Sequence, residues 1–321
     1  MTIGMEILDS PERLQAFRGD WQHFLNRVPA PTPFQTPEWL LTWWSHFGSG
    51  RPHFMVFRTD SVAGVVPAFH HEWNGRRQLT LMGAGISDYL DPVLDTRYSE
   101  AIVEALQSHL SQFPEWDVCD WQDLSADTPL QALGETCEDS PCSEVAVTGF
   151  FGDFLKQRPA RLRRNLRHSA AKGAALGSLR FTVSARADRG LLNSLIQLHG
   201  ARWRDTGEAG AIAQNRSANF LRDAATALAQ RNMLRIFALW LDSRVVAIVL
   251  ALRNETTIFS YLTGFDPEYK KYCFGAEALA LSVRHAYENG YQRWDFLRGD
   301  EPYKSDWGAA RIPKRRLILE R

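Results

Sequence analysis

The chain of 321 residues lacks a net charge: 37 Lys and Arg stand against 37 Asp and Glu. That balance leaves no overall field to draw the protein to nucleic acid or to a membrane surface. Cysteine is sparse. Cys119, Cys137, Cys142 and Cys273 match no zinc spacing, and no histidine joins them in a ligand run, so no metal is expected. A few scattered thiols fit a reducing compartment. No stretch approaches about 18 uninterrupted apolar residues, so no membrane-spanning helix is expected. The opening "MTIGMEILDSPERLQAF" has acidic residues early and no long apolar segment, unlike a signal peptide. A cytoplasmic protein without membrane insertion is the expectation.

What is present is material for a full core. The chain is 45% hydrophobic and carries 11 Trp, and its 321 residues are enough for two ordinary domains or one large one. Pro37 after Thr36 opens a helix that Gly48 closes. Strands follow in "HFMVFRT", "VAGVVPAFHHEW" and "RQLTLMG", with turns at Asp60-Ser61 and Asn74-Gly75. A helix, "SEAIVEALQSHLSQF", and the strand "WDVCDWQDL" come next.

The second half repeats this order. "FRTDSVAGVVPAF" lies on "LWLDSRVVAIVLAL", with Asp60 opposite Asp242, and "AIVEALQSHLSQFPEWDVCDW" lies on "EALALSVRHAYENGYQRWDFL". A repeat this long is two copies of one mixed-sheet α/β lobe rather than a solenoid. The expected division is 1–150 for the first lobe, 151–180 for a basic connecting segment and 181–321 for the second lobe. The connecting segment holds Arg158, Arg161, Arg163, Arg164, Arg167 and Lys172. Leu162, Leu166 and Ala170 give it one narrow docking stripe. Its cations suit phosphate, whose oxygens pair with the Arg fork.

Six segments carry a family resemblance: "PFQTPEWLLTWWSHFG", "SDYLDPV", "RLRRNLRH", "LHGARWRDTG", "YLTGFDPEYKKYCFGAEAL" and "DFLRGDEPYKSDWG". In this order they resemble the GNAT-like acetyltransferase family associated with bacterial exopolysaccharide and cellulose-biosynthesis loci, a cousin of the Fem-type aminoacyl transferases. The resemblance implies two GNAT-like lobes in tandem. It implies transfer of an acyl group, usually from acyl-CoA (acetyl-CoA), to an amine of a small-molecule, saccharide or peptide acceptor. Fem-type transfer from aminoacyl-tRNA is the alternative, and an inactive scaffold of a polysaccharide-synthesis system is a third reading. The resemblance sets the CoA pyrophosphate at Gly275 and Ala276, where a helix begins after Lys270 and Lys271; Arg164 would add a further cation. Family members often have Ser-Pro before this glycine, and this chain has Cys273-Phe274.

Amine acylation needs a proton acceptor for the amine, a donor to the oxyanion and a proton for the departing thiolate. Asp88, beside Tyr89, follows a Gly-rich strand exit and is a candidate base on the acceptor side. His199 and Trp203 lie four apart on one helix face, His199 as base and Trp203 as pocket wall. The charged run after the last paired strand offers the densest set. Arg298 and Lys304 are candidates for phosphate or a substrate carboxylate, Asp300 or Glu301 for the amine proton, and Tyr303 as donor to the leaving group. The acceptor is expected between the lobes, and direct attack on the thioester is favoured, since no activated nucleophile is evident.

Overall fold

The computed structural model describes residues 3–206 and 214–321. The chain divides into two compact units: residues up to Pro141 together with Ile312–Arg321, and Cys142–Arg311.

In the first unit β1 (Gly4–Leu8) leads to helices α1 (Pro11–Leu25) and α2 (Pro37–Phe47). Ser10 and Thr36 cap them, each side chain accepting from a backbone N–H of the first turn, and Pro11 and Pro37 follow the caps. A meander of β2 (Arg51–Arg58), β3 (Val62–Trp73) and β4 (Arg76–Leu81) follows. Asn74 and Gly75, both at positive φ, make its second turn. The two-residue β5 (Val93–Leu94) pairs back on β3. Helix α3 (Ser99–Gln112) then crosses to β6 (Val118–Ser125), which runs parallel to β4. Met55, Phe57, Leu79, Leu81, Ile102 and Trp121 meet in the core under α3.

The second unit repeats that plan. After β7 (Thr136–Ala146) come α4 (Phe151–Lys156), α5 (Ala160–Leu176), β8 (Leu179–Ser184), α6 (Arg189–Thr206) and α7 (Asn215–Gln230). Then β9 (Leu234–Leu241), β10 (Arg244–Arg253) and β11 (Thr257–Phe265) form the meander. Helix α8 (Phe274–Glu288) crosses to β12 (Arg293–Asp295), parallel to β11. The short α9 (Pro302–Asp306) and β13 (Ala310–Glu320) end the chain. The strands run β1-β2-β3-β4-β6-β13 in one unit and β8-β9-β10-β11-β12-β7 in the other, so the order matches position by position. The internal repeat read from the sequence is a repeat of topology.

Where the sequence sets a boundary at 150, the division falls at Pro141/Cys142, because the end of β7 pairs with β12. The last strand returns to the first unit, where β13 pairs with β6. The basic segment is no loose connection. Leu162, Leu166 and Gly173 of α5 are buried, and Gly173 faces Leu179 and Phe274 so closely that a Cβ would collide. Among the described residues, no helix is long and apolar enough to cross a membrane.

Candidate functional site

The site begins where two parallel strands part. β11 and β12 pair only over Thr257–Phe259 and Arg293–Asp295. β11 then continues to Phe265, while the segment after β12 turns away through Leu297 at φ 63°, its N–H held by Asp295 Oδ1 at 2.7 Å. Asp266 donates its N–H to the Val246 carbonyl on β10. In an antiparallel ladder the backbone groups alternate in direction, so those of Thr263 and Phe265 point away from β10. His199 on α6 lies there: its Nδ1 is 2.9 Å from the Thr263 carbonyl and donates to it in the Nδ1–H tautomer.

Helices cover both faces of this strand. A Cβ on Gly264 would meet Leu198 and His199 of α6, whereas the neighbouring Phe265 ring lies against Gly275 of α8. Side chains alternate along a strand, so α6 and α8 take opposite faces. On the α8 face lies a cleft of about 290 Å³. Ile248 and Val249 of β10 and Thr263–Phe265 of β11 form its floor. Gly275, Ala276, Ala278 and Leu279 of α8 form one wall; Arg161, Leu162 and Asn165 of α5 line it as well, with Tyr303 and Asp306 of α9 and Trp307.

The first turn of α8 forms part of this wall. Its N-cap, Cys273, sits in the left-handed region at φ 59°, and no side chain caps the helix. A Cβ on Gly275 would lie 3.2 Å from the Phe265 ring, so the helix start packs tightly on that side chain and a larger residue there must displace it. Lys270 and Lys271 stand in the 3-10 turn just before it. A helix N-terminus with nearby cations is an anion seat. Two ties join the segment ahead of α5 and its first turn to the α9 end of the cleft. Arg161 pairs with Asp306 at 2.8 Å, and Arg158 donates to the Trp307 carbonyl at 2.6 Å.

Of the residues expected from sequence, Gly275, Ala276 and Tyr303 line this cleft. His199 is one contact removed, through Thr263. Lys271 flanks the start of α8 and leans over the Tyr272 ring at 5.1 Å. Arg164 is exposed on α5, one residue before the lining Asn165. Asp300 is exposed, and neither it nor Arg298 is part of the lining. The side chain of Trp203 lies outside the described residues.

Lys304 requires a correction. It is 3% exposed, and its ammonium donates to the carbonyls of Leu297, Arg298 and Gly299 at 3.0, 2.8 and 3.1 Å. Glu301 adds a carboxylate oxygen at 2.9 Å. An ammonium has three protons, so Lys304 is spent on its own loop, and Glu301 is engaged with Lys304.

Asp88 and Tyr89 belong to the first unit. There the strand equivalent to β11 is broken: β4 stops at Leu81, and β5 resumes the pairing with β3 at Gly64 and Val65. The intervening residues pack against neighbouring elements of the same unit. Tyr89 stacks with Phe34, the Lys314 ammonium sits 4.0 Å from its ring centre, and Asp91 accepts from the N–H and hydroxyl of Ser125. The cavity left beside Tyr89 and Asp91 is about 10 Å³, room for one water.

Sequence reasoning missed Arg161, Asn165, Asp306 and Trp307 as lining residues. The phase of α5 is the signal that finds the first two: Leu162 and Leu166 mark its buried stripe, and Arg161 and Asn165 adjoin it. It also passed over Glu277, on the first turn of α8, whose carboxyl is pushed up to about 7 by burial.

Residues 160–305 match the family model described as an acetyltransferase (GNAT) domain. That span contains every lining residue of the cleft except Asp306 and Trp307. Among solved structures the chain resembles FemX, with a TM-score of 0.70 at 13% identity over 99% of this chain and 98% of that one. It also resembles L-PGS from Bacillus licheniformis, with a TM-score of 0.60 at 14% identity over 97% and 92%. A tandem GNAT protein from the clavulanic acid biosynthesis pathway gives 0.53 at 10% identity over 99% and 98%. No curated protein matches the chain. At such identities the likeness is one of fold: a mixed α/β architecture of tandem GNAT-like lobes.

Proposed function

We propose that the protein transfers an acyl group from acyl-CoA to an amine, and that the second unit is the working lobe. The observation that carries this reading is the cleft at the uncapped start of α8, beside a strand that has parted from its parallel neighbour. The helix N-terminus, Lys270 and Lys271 take the pyrophosphate, with Arg164 as a further cation. The arm bearing the thioester runs along β11 toward α9. The amine nitrogen attacks the carbonyl carbon, the C–N bond forms and the C–S bond breaks. Tyr303 gives the departing thiolate a proton. Asp306, the carboxylate of the lining, takes the amine proton. His199 holds the Thr263 carbonyl and so sets the course of the strand edge. Asp300 and Arg298, outside the cleft, meet the acceptor.

The basic face of α5 favours a second reading. Arg163, Arg164, Arg167 and Lys172 are exposed, and the helix contains no carboxylate. Clustered phosphate contacts of this kind suit an aminoacyl-tRNA donor. Calorimetry with CoA, acetyl-CoA and aminoacyl-tRNA separates the two. Micromolar binding of CoA supports the first reading. Salt-sensitive tRNA binding without CoA binding overturns it in favour of the second, and binding of neither leaves a scaffold.

A further inference from the structure

The turn that leads into α8 is tied to the sheet by a residue outside the cleft. Asp266, the first residue after β11, is 4% exposed and caps the 3-10 turn Pro267–Tyr272. Its Oδ1 accepts from the Glu268 N–H at 3.1 Å, and its own N–H donates to the Val246 carbonyl at 2.9 Å. Its Oδ2 is buried, and the Arg244 guanidinium faces it at 2.5 Å. Arg244, the first residue of β10, also pairs with Glu268 at 2.9 Å and lies 5.5 Å from the centre of the Tyr269 ring. Tyr269 packs on Tyr272 and on Phe274, the buried first residue of α8, with ring centres 6.1 and 5.8 Å apart. Contacts thus run unbroken from the start of β10 to the start of α8.

The first unit does without this tie. The alignment that sets Asp60 opposite Asp242 sets Val62 opposite Arg244, and Val62 is a buried residue at the start of β3. There β5, rather than a continuing strand, pairs with the start of β3. The tie therefore belongs to the lobe whose α8 borders the cleft, not to the lobe plan. An ion pair made by a surface arginine adds little to stability, but the planar fork holds two carboxylates at fixed angles. Arg244 is not part of the cleft lining. We propose that Arg244 is a positioning residue for the diphosphate of the acyl donor. Through Asp266 and Glu268 it holds the turn so that the N–H groups at the start of α8 and the ammoniums of Lys270 and Lys271 meet one anion. A turn fixed beforehand spares the ordering cost that binding would otherwise carry. This rests on the acyl-CoA reading and adds a residue to it.

Calorimetry with CoA on the wild type, Arg244→Met and Asp266→Asn tests this, with thermal unfolding as the check on folding. The two substitutions change the local charge in opposite directions, whereas positioning makes their effects alike. Asparagine keeps an oxygen for the Glu268 N–H and loses the charge that holds Arg244. Both variants are expected to bind CoA at least about fivefold more weakly than the wild type, the lower end of couplings between separate sites. Arg244→Lys, which keeps the charge without the fork, is expected to recover part of the loss. If Arg244→Met does not fold, Arg244→Lys is read in its place, and weaker CoA binding than wild type is again the expected result. Tighter binding in Asp266→Asn would mean that Arg244 meets the anion directly, and overturns the inference. A lower thermal midpoint with unchanged CoA affinity would leave a structural tie alone, and overturns it as well. Both of these results keep the acyl-CoA reading intact. A wild type that does not bind CoA overturns that reading and the inference with it.

Discussion

The Lys304 ammonium donates to the Arg298 carbonyl at 2.8 Å, buried within a loop whose flanking residues Leu297 and Gly299 both have positive φ. Those left-handed positions accompany carbonyls turned toward one point, and the ammonium fills it. Lys304→Met would leave three carbonyls without their donor. The expected loss is about 3 kcal/mol of stability, read as a lower urea midpoint. Because α9 follows this loop, weaker CoA binding should accompany the loss. A variant with unchanged stability and a defect only in acceptor affinity would instead return Lys304 to substrate binding.

A second prediction concerns acid. His53 Nε2 lies 2.9 Å from His109 Nε2, and the His70 ring stands 4.6 Å from that of His53. Burial holds His53 down at about 3 and His70 at about 4, with the Arg51 charge adding to both and Glu115 opposing it at His70. These rings protonate more readily unfolded than folded. Their stability is therefore complete above the ordinary histidine range near pH 6.5 and is lost as pH falls toward 3. Each pH unit on that limb removes about 1.4 kcal/mol per histidine. Urea midpoints measured from pH 7 to 4 should fall steeply, and less so in His53→Phe. A flat profile would show that the cluster does not titrate on unfolding.

Glu277 gives the opposite sign. Its carboxyl is raised to about 7 by burial alone, so the folded protein holds a proton that the unfolded chain has released. Its contribution is lost as pH rises from about 4.5 through 7. Glu277→Gln should raise the thermal midpoint at pH 8 and leave it nearly unchanged at pH 4. Equal shifts at both pH values would argue against a buried proton at this position.

At Gly275 the prediction is for binding. Any side chain must enter the space between α8 and Phe265. Gly275→Trp should lower CoA affinity at least about tenfold, or about 1.4 kcal/mol, while circular dichroism stays that of the folded protein. Unchanged affinity in the calorimeter would remove the start of α8 from the site.

Much of the scaffold is legible in the residues. Thr36-Pro37 and Ser10-Pro11 announce helix starts, and the Asp60 and Asp242 turns align the two meanders. β7 and β13 escape because polar stretches such as "TCEDSPCSEVA" and "ARIPKRRLILE" become strands through partners far away in sequence. In the site, Gly275 and Tyr303 are readable from a helix start and from a charged strand exit. Lys304 is misread for a physical reason: a lysine in a charged run looks like a ligand group until backbone carbonyls are seen to converge on it. Asp306 is hidden likewise, since its partner Arg161 is distant in sequence and only folding brings the two together.

The central claim is that acyl-CoA is held at the start of α8. Amide hydrogen exchange on the intact protein, with and without CoA, tests it most directly. Binding should slow exchange across residues 270–279 and leave residues 86–91 of the first unit unchanged. Protection confined to the first unit, or none at residues 270–279 under saturating CoA, would contradict the claim.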